Sequence, residues 1–352
     1  MLTLGKNTVN LREIFGLVFS FGLGFAFLYI AFRGISMKDF LASLSRVSIW
    51  WMLMYTAFST FSHYLRAIRW KYLLSILKQD ISVHHIFASI MIGYGFNNII
   101  PRLGEVSRAV FLGRYEKISR VSILGTIVVE RVLDIIMFGS AVIISGMIYA
   151  KNLDDTFVWL KFTLILGAIV IVASIIFLVL LVKQEKKIVR LVQKLFSRSS
   201  EKTSLKIKIL LEKLISGFHC FQSASDTLLT IIFSVLIMIN YGLNTYLGFY
   251  MLGMQNERSI DFGMAWVTMS ISAIGVMIPT PGGLGSYHSI TKSVLQKLYA
   301  FGETISISYA FLSHAITYVL NTLFAVAYII LFRKKFGDID INLMLKPEQE
   351  SE

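Results

Sequence analysis

The 352-residue chain is predicted to be an all-α polytopic membrane protein, with six full spans and two Pro/Gly-broken helical hairpins that read as re-entrant, arranged as an inverted-topology repeat. Three observations lead there. Hydrophobic residues make up 55% of the chain and charged residues only 16%, against about 25% charged in an ordinary soluble domain, and the mean hydropathy is +0.68. The apolar runs are long and continuous, as a helix of ~20 residues crossing a bilayer requires. They are not the ten-residue alternating segments of a membrane β-barrel. Finally, three of the four prolines, Pro101, Pro279 and Pro281, sit at two interruptions in otherwise apolar sequence.

The six runs long enough to span lie at Ile14–Phe32, Ile49–Leu65, Val121–Tyr149, Phe157–Val182, Leu228–Leu252 and Ile305–Phe332. The first is followed by no small-residue cleavage site, so it reads as an uncleaved span. Two further stretches, residues 84–120 and 262–301, are apolar but broken. The first breaks at Asn97-Asn98-Ile99-Ile100-Pro101-Arg102-Leu103-Gly104-Glu105 and the second at Pro279-Thr280-Pro281-Gly282-Gly283-Leu284-Gly285. Such backbone survives at membrane depth only when buried in protein or lining a wet cavity.

Orientation follows from Lys and Arg. With the N-terminus inside, the predicted cytoplasmic segments hold 23 of the 34 basic residues. The outer loops hold Arg33, Lys38, Arg46, Lys151 and Arg258, a strong positive-inside asymmetry that puts both termini in the cytoplasm. Trp50, Trp51, Trp159 and Trp266 fall near the outer interface and Trp70 near the inner one. The net charge of +13 therefore points to anionic lipid and not to nucleic acid. The single Cys220 allows no internal disulfide.

The element order is one motif and its inversion. Residues 1–150 form a first membrane repeat with the hairpin 84–120. Residues 151–335 form a second, with a basic amphipathic segment at 183–222 and the hairpin 262–301; residues 336–352 are a cytoplasmic tail. Broken helices at matching places of inverted halves are the sequence pointer to a transporter's midplane binding site.

Charge at membrane depth marks the candidate site. The first hairpin carries Arg102, Glu105 and Arg108, and the third span carries Glu130, Arg131 and Asp134. Each costs ~2.5–3.5 kcal/mol at a helix centre, so six cost roughly 15–20 kcal/mol, more than the ~5–15 kcal/mol that stabilises a typical protein. They must pair or line water. Glu130 and Asp134, four apart, share a helix face, with Arg131 one step round. His63, Arg66 and Arg69 share a face at the cytoplasmic end of the second span, either as a snorkelling anchor or as a phosphate entry site. In the second hairpin, Pro281, Gly282, Gly283 and Gly285 offer backbone N–H groups to an anion or else serve close packing. His288 beside them is either titratable or structural. Asn240 and Asn244, and His314, Thr317 and Asn321, form polar helix faces that bond between helices or line a cavity. Neither a Walker motif nor zinc-type His/Cys spacing is present, so no cofactor is expected.

In combination, His63-Tyr64-Leu65-Arg66-Ala67-Ile68-Arg69-Trp70, Asn98 with Pro101-Arg102-Leu103-Gly104-Glu105-Val106-Ser107-Arg108, Glu130-Arg131 with Asp134, and Pro279 with Pro281-Gly282-Gly283-Leu284-Gly285 resemble the flippase-like family named for the transmembrane region of lysylphosphatidylglycerol synthase. The resemblance covers about residues 12–335 and implies a membrane domain that moves lipids between leaflets. The founding synthases add a soluble aminoacyltransferase domain after the membrane part; this chain ends at Glu352, so synthase activity is not expected of it. His288 stands where many relatives have an acidic residue.

The expectation is an inner-membrane flippase- or scramblase-like transporter of an anionic phospholipid or polyprenyl-phosphate-type lipid. Its head group would meet Arg102, Arg108 and Arg66, with Glu105, Glu130 and Asp134 holding the arginines. Its partners are membrane lipids with anionic head groups, a second copy of the chain or envelope-synthesis enzymes. The competing readings are a membrane-integral head-group or glycosyl transferase and a non-transporting member of an envelope-synthesis complex.

Overall fold

The computed structural model of the chain describes residues 11–100, 103–149, 158–184, 187, 209, 211–217, 223–278 and 280–336. All regular structure among the described residues is helical. In chain order the helices are α1 (Leu11–Phe32), α2 (Met37–Leu44), α3 (Ile49–Leu74), α4 (Val83–Ile99), α5 (Leu103–Glu116), α6 (Arg120–Tyr149) and α7 (Val158–Lys183). They continue as α8 (Ala224–Met251), α9 (Phe262–Met277), α10 (Ser286–Lys297) and α11 (Glu303–Phe336).

The burial pattern is the reverse of a soluble protein's. On α8, Leu228, Ile231, Ile232, Val235, Leu236 and Ile239 are exposed, and on α11 so are Val319, Leu323, Val326 and Ile330. Both sets recur at helical spacing and make apolar stripes along the outside. Arg69, Glu130 and Thr126 are fully buried. Water would not tolerate apolar faces of this extent, whereas hydrocarbon requires them. The chain is a helical membrane protein.

By length and composition, α8 and the stretch Glu303–Phe332 of α11 are each apolar enough to cross a membrane alone among the described residues, and α1 with α2 qualifies as a pair bent by 89°. The bend corrects one expectation: residues 37–44, read as outer loop, are helical. Gly34, at φ +82°, turns the chain, and Ser36 caps α2 by accepting from the Asp39 N–H. Two carbonyls of α1 find side-chain donors on α10, with Ser289 Oγ donating to Phe27 O at 2.8 Å and Lys292 Nζ to Ala31 O at 3.0 Å.

Two helical hairpins, α4–α5 and α9–α10, form where the sequence breaks. The arms of the first meet backbone to backbone: a Cβ on Gly104 would strike Gly93 O, and one on Gly93 would lie 2.5 Å from Arg108 Cγ. The second turns through Gly282, Gly283 and Gly285, at φ +58°, +78° and +82°, values that only glycine adopts readily. Gly285 also lets α1 approach closely, since a Cβ there would strike Gly24 O.

The hairpin tips reach one another across the middle of α11. Asn98 Nδ2 donates to Tyr318 O at 3.1 Å and to Thr322 Oγ1 at 3.0 Å, and Tyr318 Oη donates back to Asn98 O at 3.0 Å. Four residues earlier on the same helix, His314 Nε2 donates to Gly282 O at 2.8 Å. Both tips thus stop halfway along a 34-residue helix. The basic segment 183–222 falls largely outside the described residues, as do the tail beyond Phe336 and the tip residues Pro101, Arg102 and Pro279.

Candidate functional site

The charged cluster assembles from three helices. Spacing of three on α3 and of four on α6 presents Arg66 and Arg69 to Glu130 and Asp134 across one interface. Arg69 donates to Asp134 Oδ1 at 2.7 Å, Glu130 Oε1 at 3.3 Å and Ser234 Oγ at 3.3 Å. Arg66 donates to Asp134 Oδ2, to Glu130 Oε1 at 3.3 Å and to Tyr241 Oη at 2.9 Å. From the first hairpin, Arg108 donates to Glu130 Oε2 at 2.7 Å. Its guanidinium lies 4.0 Å from the centre of the Trp70 ring, a cation–π contact, and the Trp70 indole N–H donates to Thr126 Oγ1 at 3.0 Å. The network is built this way because each charge removed from water must recover its hydration energy from partners.

Several expectations change here. α3 continues past Leu65 to Leu74, so Arg69 and Trp70, both at 0% exposure, are interior residues and neither an anchor nor an interface belt. The two carboxylates on α6 make the longer helix possible by neutralising it. Arg66 and Arg108 are also buried and bonded, and so are structural in this arrangement rather than free to receive a head group. Arg131 is different: 37% of its side chain is exposed, and it meets Asp134 at 3.5 Å and Glu130 at 3.7 Å, longer pairs than its neighbours make. Glu105 does not hold an arginine among the described residues; its Oε2 is buried without a hydrogen-bond partner there. Arg102 lies outside the described residues.

Arg131 and Glu105 both border a partly open cavity of about 490 Å³ that lies where the hairpin tips converge. Along α3 the cavity extends from Tyr55 to His63, and along α11 from Tyr309 to Asn321, distances of ~12 and ~18 Å at 1.5 Å per residue. Four guanidiniums against two carboxylates leave the network beside it with excess positive charge, a field that favours an anion in a low-dielectric setting.

The second hairpin contributes Gly282 and Gly283 to the lining, whereas Pro281, Gly285 and His288 do not border the cavity. His288 is buried and accepts the Gly285 N–H at Nδ1, 3.2 Å away, which caps α10. Its role here is structural. Of the polar helix faces, Asn240 bonds to Phe58 O at 3.0 Å between helices. Asn244, His314, Thr317 and Asn321 line the cavity. Residues that sequence reasoning missed include Tyr55, Tyr94, Tyr241, Thr268 and Tyr287 on the lining, and Trp70 as the platform for Arg108. Tyr241 follows Asn240 and precedes Asn244 by three, so the polar α8 face was the available signal.

An inside-out helical bundle whose two hairpin tips meet beside a cavity defines a polytopic helical membrane protein. The chain belongs to the family of the lysylphosphatidylglycerol synthase TM region, whose sequence model matches residues 14–325. It is similar to a UPF0104 membrane protein of Methanocaldococcus jannaschii, 27% identical over 285 residues that cover 76% of this chain and 80% of the relative. A UPF0104 membrane protein of Methanothermobacter thermautotrophicus is 25% identical over 240 residues, covering 64% and 69%. No solved structure matches the chain significantly.

Proposed function

We propose that this protein is a flippase- or scramblase-like lipid transporter that passes an anionic head group through the cavity while the acyl chains stay in the bilayer. The observation that carries this reading is the cavity itself: about 490 Å³, the scale of a head group and not of a whole lipid, bordered by the partly exposed Arg131 where two opposed hairpins touch. Guanidinium is the side chain suited to a bidentate grip on phosphate. In this reading Arg131, not Arg108 or Arg66, meets the lipid, and Arg66, Arg69 and Arg108 with Glu130 and Asp134 form the rigid charged floor.

The reading includes six full spans, both hairpins re-entrant, and both termini on the cytoplasmic side of the inner membrane. The positive-inside asymmetry supports the orientation. The helix pairings support the inverted repeat, because α3–α4 has a counterpart in α8–α9, α4–α5 in α9–α10, α5–α6 in α10–α11 and α4–α11 in α9–α6. Rocking of one half against the other would then alternate access. The family match lies in the membrane region of a synthase and not in its soluble catalytic part, which favours transport over enzymatic chemistry. Reconstituted vesicles carrying an acyl-labelled anionic phospholipid test the proposal. Translocation that depends on the protein and falls at least tenfold in Arg131→Gln is expected; translocation at the protein-free rate would reject transport.

A further inference from the structure

Resting on the transport reading, the lining of the cavity identifies the kind of head group it takes. Formal charge is confined to Arg131 and Glu105 among the described lining residues, and the remainder is dominated by hydroxyl, amide and aromatic groups. Two side chains of that neutral lining carry a buried polar atom with no hydrogen-bond partner among the described residues: Thr268 at Oγ1 and Asn244 at Oδ1. Thr268 is 1% exposed. Buried polar atoms are normally paired, and leaving one unmade costs ~1–3 kcal/mol. The two atoms sit on different helices, α9 and α8, around one space. They comprise a hydroxyl and an amide carbonyl, a set that matches groups able both to give and to accept hydrogen bonds.

We infer that the cavity recognises a phosphate-linked, uncharged polyhydroxylated head group, a sugar or polyol, in preference to a head group bearing an amine. An ammonium ion carries three donors and no acceptor and needs a carboxylate beside it when desolvated. The only described carboxylate on the lining is Glu105, so an amine placed along the neutral wall would be uncompensated. Hydroxyls, in contrast, satisfy Asn244 and Thr268 together. A site built to hydrogen-bond hydroxyls discriminates strongly because an ill-matched ligand leaves its polar atoms unpaired.

Native mass spectrometry of the full-length chain in detergent, with phosphatidylinositol, phosphatidylglycerol and phosphatidylserine at equal concentration, tests this independently of transport. All three lipids are singly anionic, so charge alone does not separate them. Phosphatidylinositol and phosphatidylglycerol are expected to be retained at least tenfold more than phosphatidylserine. Thr268→Val should lower inositol-lipid retention at least fivefold. Asn244→Asp, which adds a carboxylate to the neutral wall, should raise phosphatidylserine retention relative to phosphatidylinositol at least fivefold, a gain that misfolding does not produce. Equal retention of the three lipids by the parent, or an unchanged ratio in Asn244→Asp, would overturn the inference. Displacement of the lipid by soluble inositol 1-phosphate at equal concentration would overturn the assignment to a lipid. Should the preference hold while vesicles show no translocation, the transport proposal fails and the head-group class stands.

Discussion

Arg69 and Asp134 face each other at 2.7 Å across the α3–α6 interface, with Arg69 wholly buried. Neither residue borders the cavity, so their pairing is an architectural one. Removing Arg69 takes from Asp134 Oδ1 its 2.7 Å partner, in a place water does not reach. Arg69→Ala is expected to destabilise the protein by ~3–5 kcal/mol, the cost of breaking a buried pair. Thermal unfolding in detergent measures it. Arg69→Leu combined with Asp134→Leu should lose less than the two single losses added together, because each removes the other's stranded charge; additive losses would mean the pair is uncoupled.

Arg131 should behave in the opposite way. Its side chain is 37% exposed and its ion pairs are 3.5 and 3.7 Å long, longer than those that Arg66, Arg69 and Arg108 make to the same carboxylates. Arg131→Gln is therefore expected to leave the unfolding midpoint nearly unchanged while slowing translocation at least tenfold. Arg131→Lys should fall between the two, since it keeps the charge but loses the planar fork. Equal loss of stability in Arg131→Gln and Arg69→Ala would place both in one structural network.

The first hairpin depends on the contact between Gly93 and Gly104. A methyl group on Gly104 would strike Gly93 O, with the Asn97 side chain 2.6 Å away. Gly104→Ala should cost ~1–3 kcal/mol through overpacking. Gly22 on α1 is the control, because a methyl group added there would meet no neighbouring atom within 4 Å. Ala replaces Gly at that position without a clash and should stabilise by roughly 0.5–1 kcal/mol. Unfolding curves of the two variants give the comparison.

Contact between the first tip and mid-α11 can be trapped chemically. Asn98 Nδ2 and Thr322 Oγ1 are 3.0 Å apart. In a Cys220→Ser background, Asn98→Cys with Thr322→Cys should form an oxidant-dependent intramolecular cross-link. Asn98→Cys paired with Leu331→Cys, an exposed position further along α11, should not. Absence of the first cross-link would mean that the hairpin does not reach the middle of the helix.

Much of the site is legible in the sequence because charge in an apolar run is costly and must be explained. Glu130 and Asp134 at i, i+4 could be recognised as one helix face and Arg66 and Arg69 at i, i+3 as another, and the two Pro/Gly breaks could be recognised as paired; that the two charged faces meet was not legible. The assignment of roles was not legible. Arg108 and Arg131 carry the same charge in the same membrane region, yet one is fully engaged by Glu130 and Trp70 and the other borders the cavity. Trp70 illustrates the same gap: an aromatic residue near a predicted span end suits an interface, but α3 continues to Leu74, about two and a half turns further, and carries the ring inward beneath Arg108.

The sequence by itself determined that the chain lives in a membrane, that it is helical, and that two of its apolar stretches are broken helices, because composition, run length and Pro/Gly placement act locally and hydrocarbon tolerates few alternatives. Only the tertiary structure decided where the two tips meet, which described guanidinium borders the cavity, and that Glu105 pairs with no arginine among the described residues while His288 caps a helix. Those outcomes depend on the rotation of each helix about its axis and on interhelical spacings of a few ångströms, and residues hundreds of positions apart set them jointly.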